Sequence, residues 1–239
     1  MRFNKMICLT VVISALLVVP VFAATGYGPG VAPDVPAFVP TQPGTAEARA
    51  VTTARTAIQQ AVSRGNGETT ITLANTPTLN SATLQEIFDM ADRAGVDATV
   101  QVDVRHGNSV VSRTIIDAET AAYLYGVIDF RVNLTGYEID EIRRFVSTFF
   151  DNEFTVIRYN HLGAFGRDSD DRLVRVQTAV NASTARLNTS NLRFYALNRE
   201  HTTFALIETP STVDRNGFVH FNLPVGGIII MTDRALNQR

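Results

Sequence analysis

The densest run of potential metal ligands in the chain is Asp168-Ser169-Asp170-Asp171. Hard cations such as calcium gather several oxygens at once, and Asp168, Asp170 and Asp171 are carboxylates that a short loop could supply together. The run lacks the glycine at the sixth position and the closing glutamate of an EF-hand loop, and Arg167 and Arg172 flank it. A solvated loop with local ion pairs therefore competes with a calcium site here and is the favoured reading. The histidines are His106, His161, His201 and His220, each in a different expected turn or strand. None has a second histidine or a carboxylate at the i,i+4 spacing of a zinc-binding helix. His220 alternates between Val219 and Phe221, which directs its ring to solvent rather than to a metal.

Nucleophilic chemistry finds little support. There is no Gly-x-Ser-x-Gly elbow, and nothing pairs one serine with a histidine and an acid. Gly163-Ala164-Phe165-Gly166 follows a strand but precedes the acidic run, not a helix, so it lacks the helix N-terminus that a phosphate cradle needs. It reads instead as a bulged turn that tucks in Phe165. Acids on separate strands could still converge as a glycosidase pair, although no spacing points to one. For a sugar platform, exposed aromatics are required, and the chain has no Trp. Tyr123 and Tyr125 are the candidate ligand-binding pair, because a spacing of two places both on one face of a strand. Packing is the commoner role of such a pair.

Composition removes whole reaction classes. The only cysteine is Cys8 and the only lysine is Lys5. Both sit in residues 1–23, which have a basic start at Arg2 and Lys5, an apolar run from Met6 to Val21, and a small-x-small site at Val21-Phe22-Ala23. Removal of this signal peptide before Ala24 leaves 19 arginines against 23 acids, a net charge of −4. A disulfide scaffold, thiolate zinc site, cysteine nucleophile and lysine Schiff base are then excluded. The net charge also disfavours a strongly basic nucleic-acid binder. No cofactor is expected, nor any membrane span after signal cleavage.

The elements that must position these residues can be traced along the chain. Residues 24–44 carry five prolines among Gly and small residues, a Pro/Gly-rich spacer. Residues 45–66 form a helical segment ended by Gly65 and Gly67, with Val51, Ala54, Ile58, Ala61 and Val62 on one face. So little bulky apolar area predicts weak packing on the main domain. Two stronger amphipathic helices are expected, Ala82–Ala94 with Ser81 as N-cap, and Glu138–Phe150. Their stripes are Leu84, Ile87, Phe88 and Ala91, and Ile139, Ile142, Val146 and Phe149. Strict alternation marks strands at 98–105 and 128–134. Further strands are expected at 109–116, 154–159, 172–180, 192–197, 203–208, 218–223 and 227–232. Asp214-Arg215-Asn216-Gly217 is a hairpin signal. Spacings of 56 and 57 residues, from Val100 to Val156 and from Phe88 to Phe145, suggest a β-α-β-β pseudo-repeat over 67–182. A C-terminal antiparallel meander over 183–239 follows it, with 67–239 as one unit.

From Leu192 onward, Leu192-x-Phe194-Tyr195, Phe204, Asp214-x-Asn216-Gly217-Phe218-Val219-x-Phe221, Gly226-Gly227 and Ile229-Ile230-x-Thr232-Asp233-x-x-Leu236 resemble a β-meander module. Such modules end secreted or cell-surface proteins of Gram-positive anaerobic bacteria. The helix 84–95 leading into strand 98–105, Phe149-Phe150-Asp151-Asn152 and Gly163–Gly166 extend the resemblance over 68–236. Ile228 departs from the pattern where an acid is expected. The resemblance implies a non-catalytic extracellular module and assigns no site residue.

The expected fold is α+β: a β-rich, two-layer sandwich-like domain with two amphipathic helices and a C-terminal antiparallel meander. The expected function is non-enzymatic binding or assembly, structural or adhesion-type, in a protein that is secreted or at the cell surface. Its partner would be a cell-envelope protein or glycan. The alternative is a carbohydrate-binding module accessory to extracellular polysaccharide degradation. A hydrolase with acids converging from separate strands is a third reading. Strands 124–134 and 227–232 are apolar enough to need covering at a sheet edge, which also suggests self-association.

Overall fold

A computed structural model describes residues 45–149, 151, 153–161, 175–182, 186–198, 203–223 and 227–235, all of them within the unit Pro40–Arg239. The leader, the spacer, the acidic run with Asp168, Asp170 and Asp171, the Gly163–Gly166 turn and His201 lie outside the described residues.

Helix α1 (Ala46–Arg64) begins at Thr45, whose Oγ1 accepts from Ala48 N at 3.2 Å, and ends at Gly65 in the left-handed region at φ 69°. It is not weakly packed. Ala50, Ala54, Ile58 and Ala61 are buried in the main core, whereas Val62 stays 53% exposed. The alanines that looked too small to anchor a helix instead let it approach closely. Next come β1 (Glu68–Ala74), β2 (Thr78–Asn80), α2 (Ser81–Arg93), β3 (Asp97–His106) and β4 (Ser109–Ile116). The N-cap of α2 is Asn80, whose Oδ1 accepts from Ala82 N at 2.9 Å. Ser81 is thus the first helical residue. The helical turn α3 (Ala118–Ala121), β5 (Val127–Asn133), α4 (Tyr137–Phe149) and β6 (Phe154–His161) follow. The remaining strands are β7 (Val176–Val180), β8 (Arg193–Leu197), β9 (Phe204–Ile207), β10 (Thr212–Val213), β11 (Val219–Leu223) and β12 (Ile228–Thr232).

The strands form two six-stranded sheets, sheet 1 in the order β1-β3-β4-β7-β11-β10 and sheet 2 in the order β2-β5-β6-β12-β8-β9. Their inner faces share one core, as a sandwich requires. Val100, Val102, Ile116, Val180, Val219 and Phe221 from sheet 1 meet Ile128, Phe130, Ile157, Tyr159, Phe194 and Met231 from sheet 2. Phe194 and Phe221 stack across the layers at 4.3 Å between ring centres. The fold is α+β and sandwich-like, as the alternation implied.

The finer topology differs from the expected order. The C-terminal strands are antiparallel to their neighbours, but they are dealt between the sheets: β8, β9 and β12 in sheet 2, β10 and β11 in sheet 1. Within 67–182 the first half carries a strand, β2, and a helical turn, α3, that have no counterpart among the described residues of the second, and the pairing differs. β1 and β3 are parallel, whereas β5 and β6 are antiparallel. β3 and β4 form a hairpin, whereas β6 and β7 belong to different sheets.

The outer faces of the sheets contrast. Ile139, Ile142 and Val146 of α4 pack with Val156, Leu197 and Ile230 in a second cluster, on the outer side of sheet 2. The side chain of Phe149 lies outside the described part. β12 runs between β6 and β8, with Ile229 and Met231 in the main core and Ile230 under α4. This double burial explains its unbroken apolar run, which needs no second molecule to cover it. Likewise β5 lies between β2 and β6, with Ile128, Phe130 and Val132 turned into the core. The sheet-edge argument for self-association therefore falls.

Candidate functional site

The outer face of sheet 1 is polar, and the register sets its side chains in rows. Thr72 pairs with Gln101, Gln101 with Ile115, Ile115 with Gln177 and Gln177 with Asn222. Five strands thus contribute one cross-strand line of hydroxyl and amide groups around a single isoleucine. The next row runs Ala74, Asp103, Arg113, Ala179, His220 and Thr212. Directly opposed side chains on one face are in reach of each other.

The second row has its charges already engaged. Asp103, only 5% exposed, accepts from Gln101 Nε2 at 2.9 Å and lies 3.3 Å from Arg113 Nε. That nitrogen makes no hydrogen bond among the described residues, so the contact is an ion pair by distance. The Arg113 guanidinium sits 4.7 Å above the Phe218 ring, a cation–π contact. At the far end, Asp214 Oδ1 accepts from Asn216 N at 2.8 Å and Phe218 N at 3.0 Å. Its Oδ2 lies 3.1 Å from His220 Nε2. The Phe218 amide and the His220 ring hold this carboxyl below the usual carboxylate range. Gly217 alone takes positive φ in the turn, at 80°. Asn216 serves as a donor to Asp214.

Beside the first row lies a depression of about 280 Å³. Its floor is Thr99, Ile115, Gln177 and Asn222, from four adjacent strands, and its rim is Asp117, Thr120 and Arg175. Asp117 caps α3, its Oδ1 accepting from Thr120 N at 2.7 Å. Arg175 is anchored by an Nη1 hydrogen bond to Glu208 O, and Asn222 N donates to Thr209 Oγ1 at 2.9 Å. One carboxylate and one guanidinium give the depression a formal charge of zero. The array offers acceptors, amide donors and one apolar patch at the same opening.

The sequence-predicted residues fall elsewhere. Tyr123 and Tyr125 lie between α3 and β5, not on a strand, so their spacing of two does not set them on one strand face. Tyr123 is half-buried and Tyr125 is 59% exposed; neither lines the depression. They do leave the same turn, since Tyr123 N donates to Thr120 O at 3.1 Å. His106 is exposed at the end of β3, and His220 is engaged with Asp214. The side chain of His161 lies outside the described part. Among the described residues no three His, Cys, Asp or Glu side chains gather closely enough to hold a metal.

The rows were missed because each strand supplies one or two members. Thr99, Gln101 and Asp103 are legible as the polar side of an alternating strand. Their neighbours Ile115, Gln177 and Asn222 are known only once the strand order is. Comparison of the chain with family models, characterised proteins and solved structures found no match. Also among the described residues, no helix is long and apolar enough to cross a membrane.

Proposed function

We propose that the chain is an exported, non-enzymatic binding or assembly protein of the cell envelope that docks through the outer face of sheet 1. The contrast between the two outer faces carries this reading. The outer face of sheet 2 is apolar where α4 covers β6, β12 and β8 and polar beyond it along β5, at Asp129, Arg131 and Asn133, while the face of sheet 1 presents uncovered, ordered rows of hydroxyl and amide groups. Its charges are engaged in place, Asp103 with Arg113 and Asp214 through hydrogen bonds with the Phe218 amide and the His220 ring. Such a face suits hydrogen-bonded adhesion to a polar surface better than burial in a core. Export is supported by the layout of residues 1–23, and an envelope role by the resemblance of 68–236 to surface modules.

Two measurements test this. Expression with the native leader in a bacterial host, followed by fractionation and N-terminal sequencing, should find a chain beginning at Ala24 outside the cytoplasm. The processed protein should co-sediment with washed cell envelopes, and the double variant Gln101→Ala/Gln177→Ala should not. Retention in the cytoplasm would overturn the export half. Undiminished co-sedimentation of the double variant would overturn the docking half.

A further inference from the structure

We infer that the depression on sheet 1 is a subsite for one ring unit of a neutral, hydroxyl-rich glycan; the inference rests on the docking reading above and names its ligand. At about 280 Å³ the depression falls just below the roughly 300–1,000 Å³ of pockets that enclose drug-sized molecules. It has room for a single small ring, not an extended cofactor.

The chemistry selects among small rings. A sugar hydroxyl donates one hydrogen bond and accepts others, so a vicinal pair needs an acceptor and donors side by side. Asp117 is the acceptor, and Arg175, Gln177 and Asn222 supply the donors. Ile115 lies among them as an apolar surface for the C–H face of the ring. A phosphate would be attracted by Arg175 and repelled by Asp117, and a cation would meet the reverse. The balanced pair thus disfavours ions and leaves a neutral polyol favoured. From Ile115 in the depression the row continues through Gln101 to Thr72, so a further ring unit would find an amide and a hydroxyl partner there. This places carbohydrate recognition on the sheet face and not on the Tyr123/Tyr125 strip.

The test is titration calorimetry and protein NMR on the processed chain. The probes are glucose, N-acetylglucosamine and their β-linked oligomers, with inorganic phosphate and an oligogalacturonate as charged controls. A neutral oligomer should bind saturably, more tightly than its monomer, and shift the side-chain amide signals of Gln177 and Asn222. Asp117→Asn keeps a capping side chain while removing the carboxylate, and should weaken binding about tenfold or more. Asn222→Ala should do the same, with circular dichroism confirming that both variants fold. Equal binding in both variants, or preference for phosphate or oligogalacturonate, overturns the inference. Silence toward every neutral probe, with envelope binding still lost in Gln101→Ala/Gln177→Ala, also overturns it but leaves the docking reading standing. If envelope binding is insensitive to that double variant, the docking reading fails on its own account.

Discussion

Tyr159 in sheet 2 and Thr178 in sheet 1 meet across the sandwich, Oη to Oγ1, at 3.0 Å. Thr178 in turn donates to Arg113 O at 3.2 Å, so its hydroxyl accepts from Tyr159 while satisfying the neighbouring strand. Both side chains are buried. Burial pushes the Tyr159 phenol up, with the Thr178 hydrogen bond opposing. Ser112 and Thr114 are buried beside Thr178 on the same inner face, and the Tyr159–Thr178 pair is a hydrogen bond that crosses from one sheet to the other.

Removing either partner should have unequal effects. Tyr159→Phe deletes a donor but leaves Thr178 bonded to Arg113 O, at a cost of about 1 kcal/mol. Thr178→Val strands a buried phenol and should cost about 1–3 kcal/mol. The double variant should lose less than the sum. Urea unfolding of the four proteins checks the cycle; strict additivity would mean that the hydroxyls are not coupled. The raised phenol also implies that stability, intact below the ordinary tyrosine range, declines as pH climbs through it towards the higher folded value.

Asp214 should make the β10–β11 hairpin acid-sensitive. Its folded pKa is depressed, so its contribution is present above the ordinary carboxylate range and is lost as pH falls through that range to the lower folded value. Protection factors of the Asn216 and Phe218 amides should drop over that interval. In Asp214→Ala both should be low at every pH. A hairpin equally protected in that variant would show that Gly217 and the strand pairing suffice.

Close packing of α1 predicts intolerance of added volume. Ala54→Leu should destabilise by about 1–3 kcal/mol through overpacking. Val62→Glu, on the exposed side of the same helix, should stay within about 0.5 kcal/mol. Matching values from chemical denaturation would mean that α1 is loosely attached.

Ile230 separates β12 from an ordinary one-sided strand. Ile230→Ala should cost about 2–5 kcal/mol, as for other buried isoleucines, although its partners lie on the outer side of the sheet. Leu206→Ala on the edge strand β9, half exposed, should be close to neutral. A small effect at Ile230 in thermal unfolding would mean that α4 does not hold the outer face closed.

Much of this architecture was legible in short stretches of sequence. Alternation at 98–105 located β3 and its buried side, and the helical stripes of α2 and α4 named their core residues. Pairing was not legible, because it depends on contacts distant in the chain. β1 lies parallel to β3 across an intervening strand and helix, and β10 leaves the sheet occupied by β8 and β9. The Tyr123/Tyr125 spacing misled because the period of two has meaning only where the chain is extended, and here it turns. For the same reason the depression could not be foreseen: Thr99, Ile115, Gln177 and Asn222 become neighbours only through three separate registers.

The place of β12 bears on how the protein can be made. β5 and β6 on one side, and β8 and β9 on the other, all leave the ribosome before the strand that joins them. Without β12 the strands of sheet 2 form two groups with no pairing between them, β2-β5-β6 and β8-β9. A chain cut after β11 would carry two open edges, at β6 and β8, each presenting unpaired backbone groups. Completion of sheet 2 thus depends on the strand that comes last among those described.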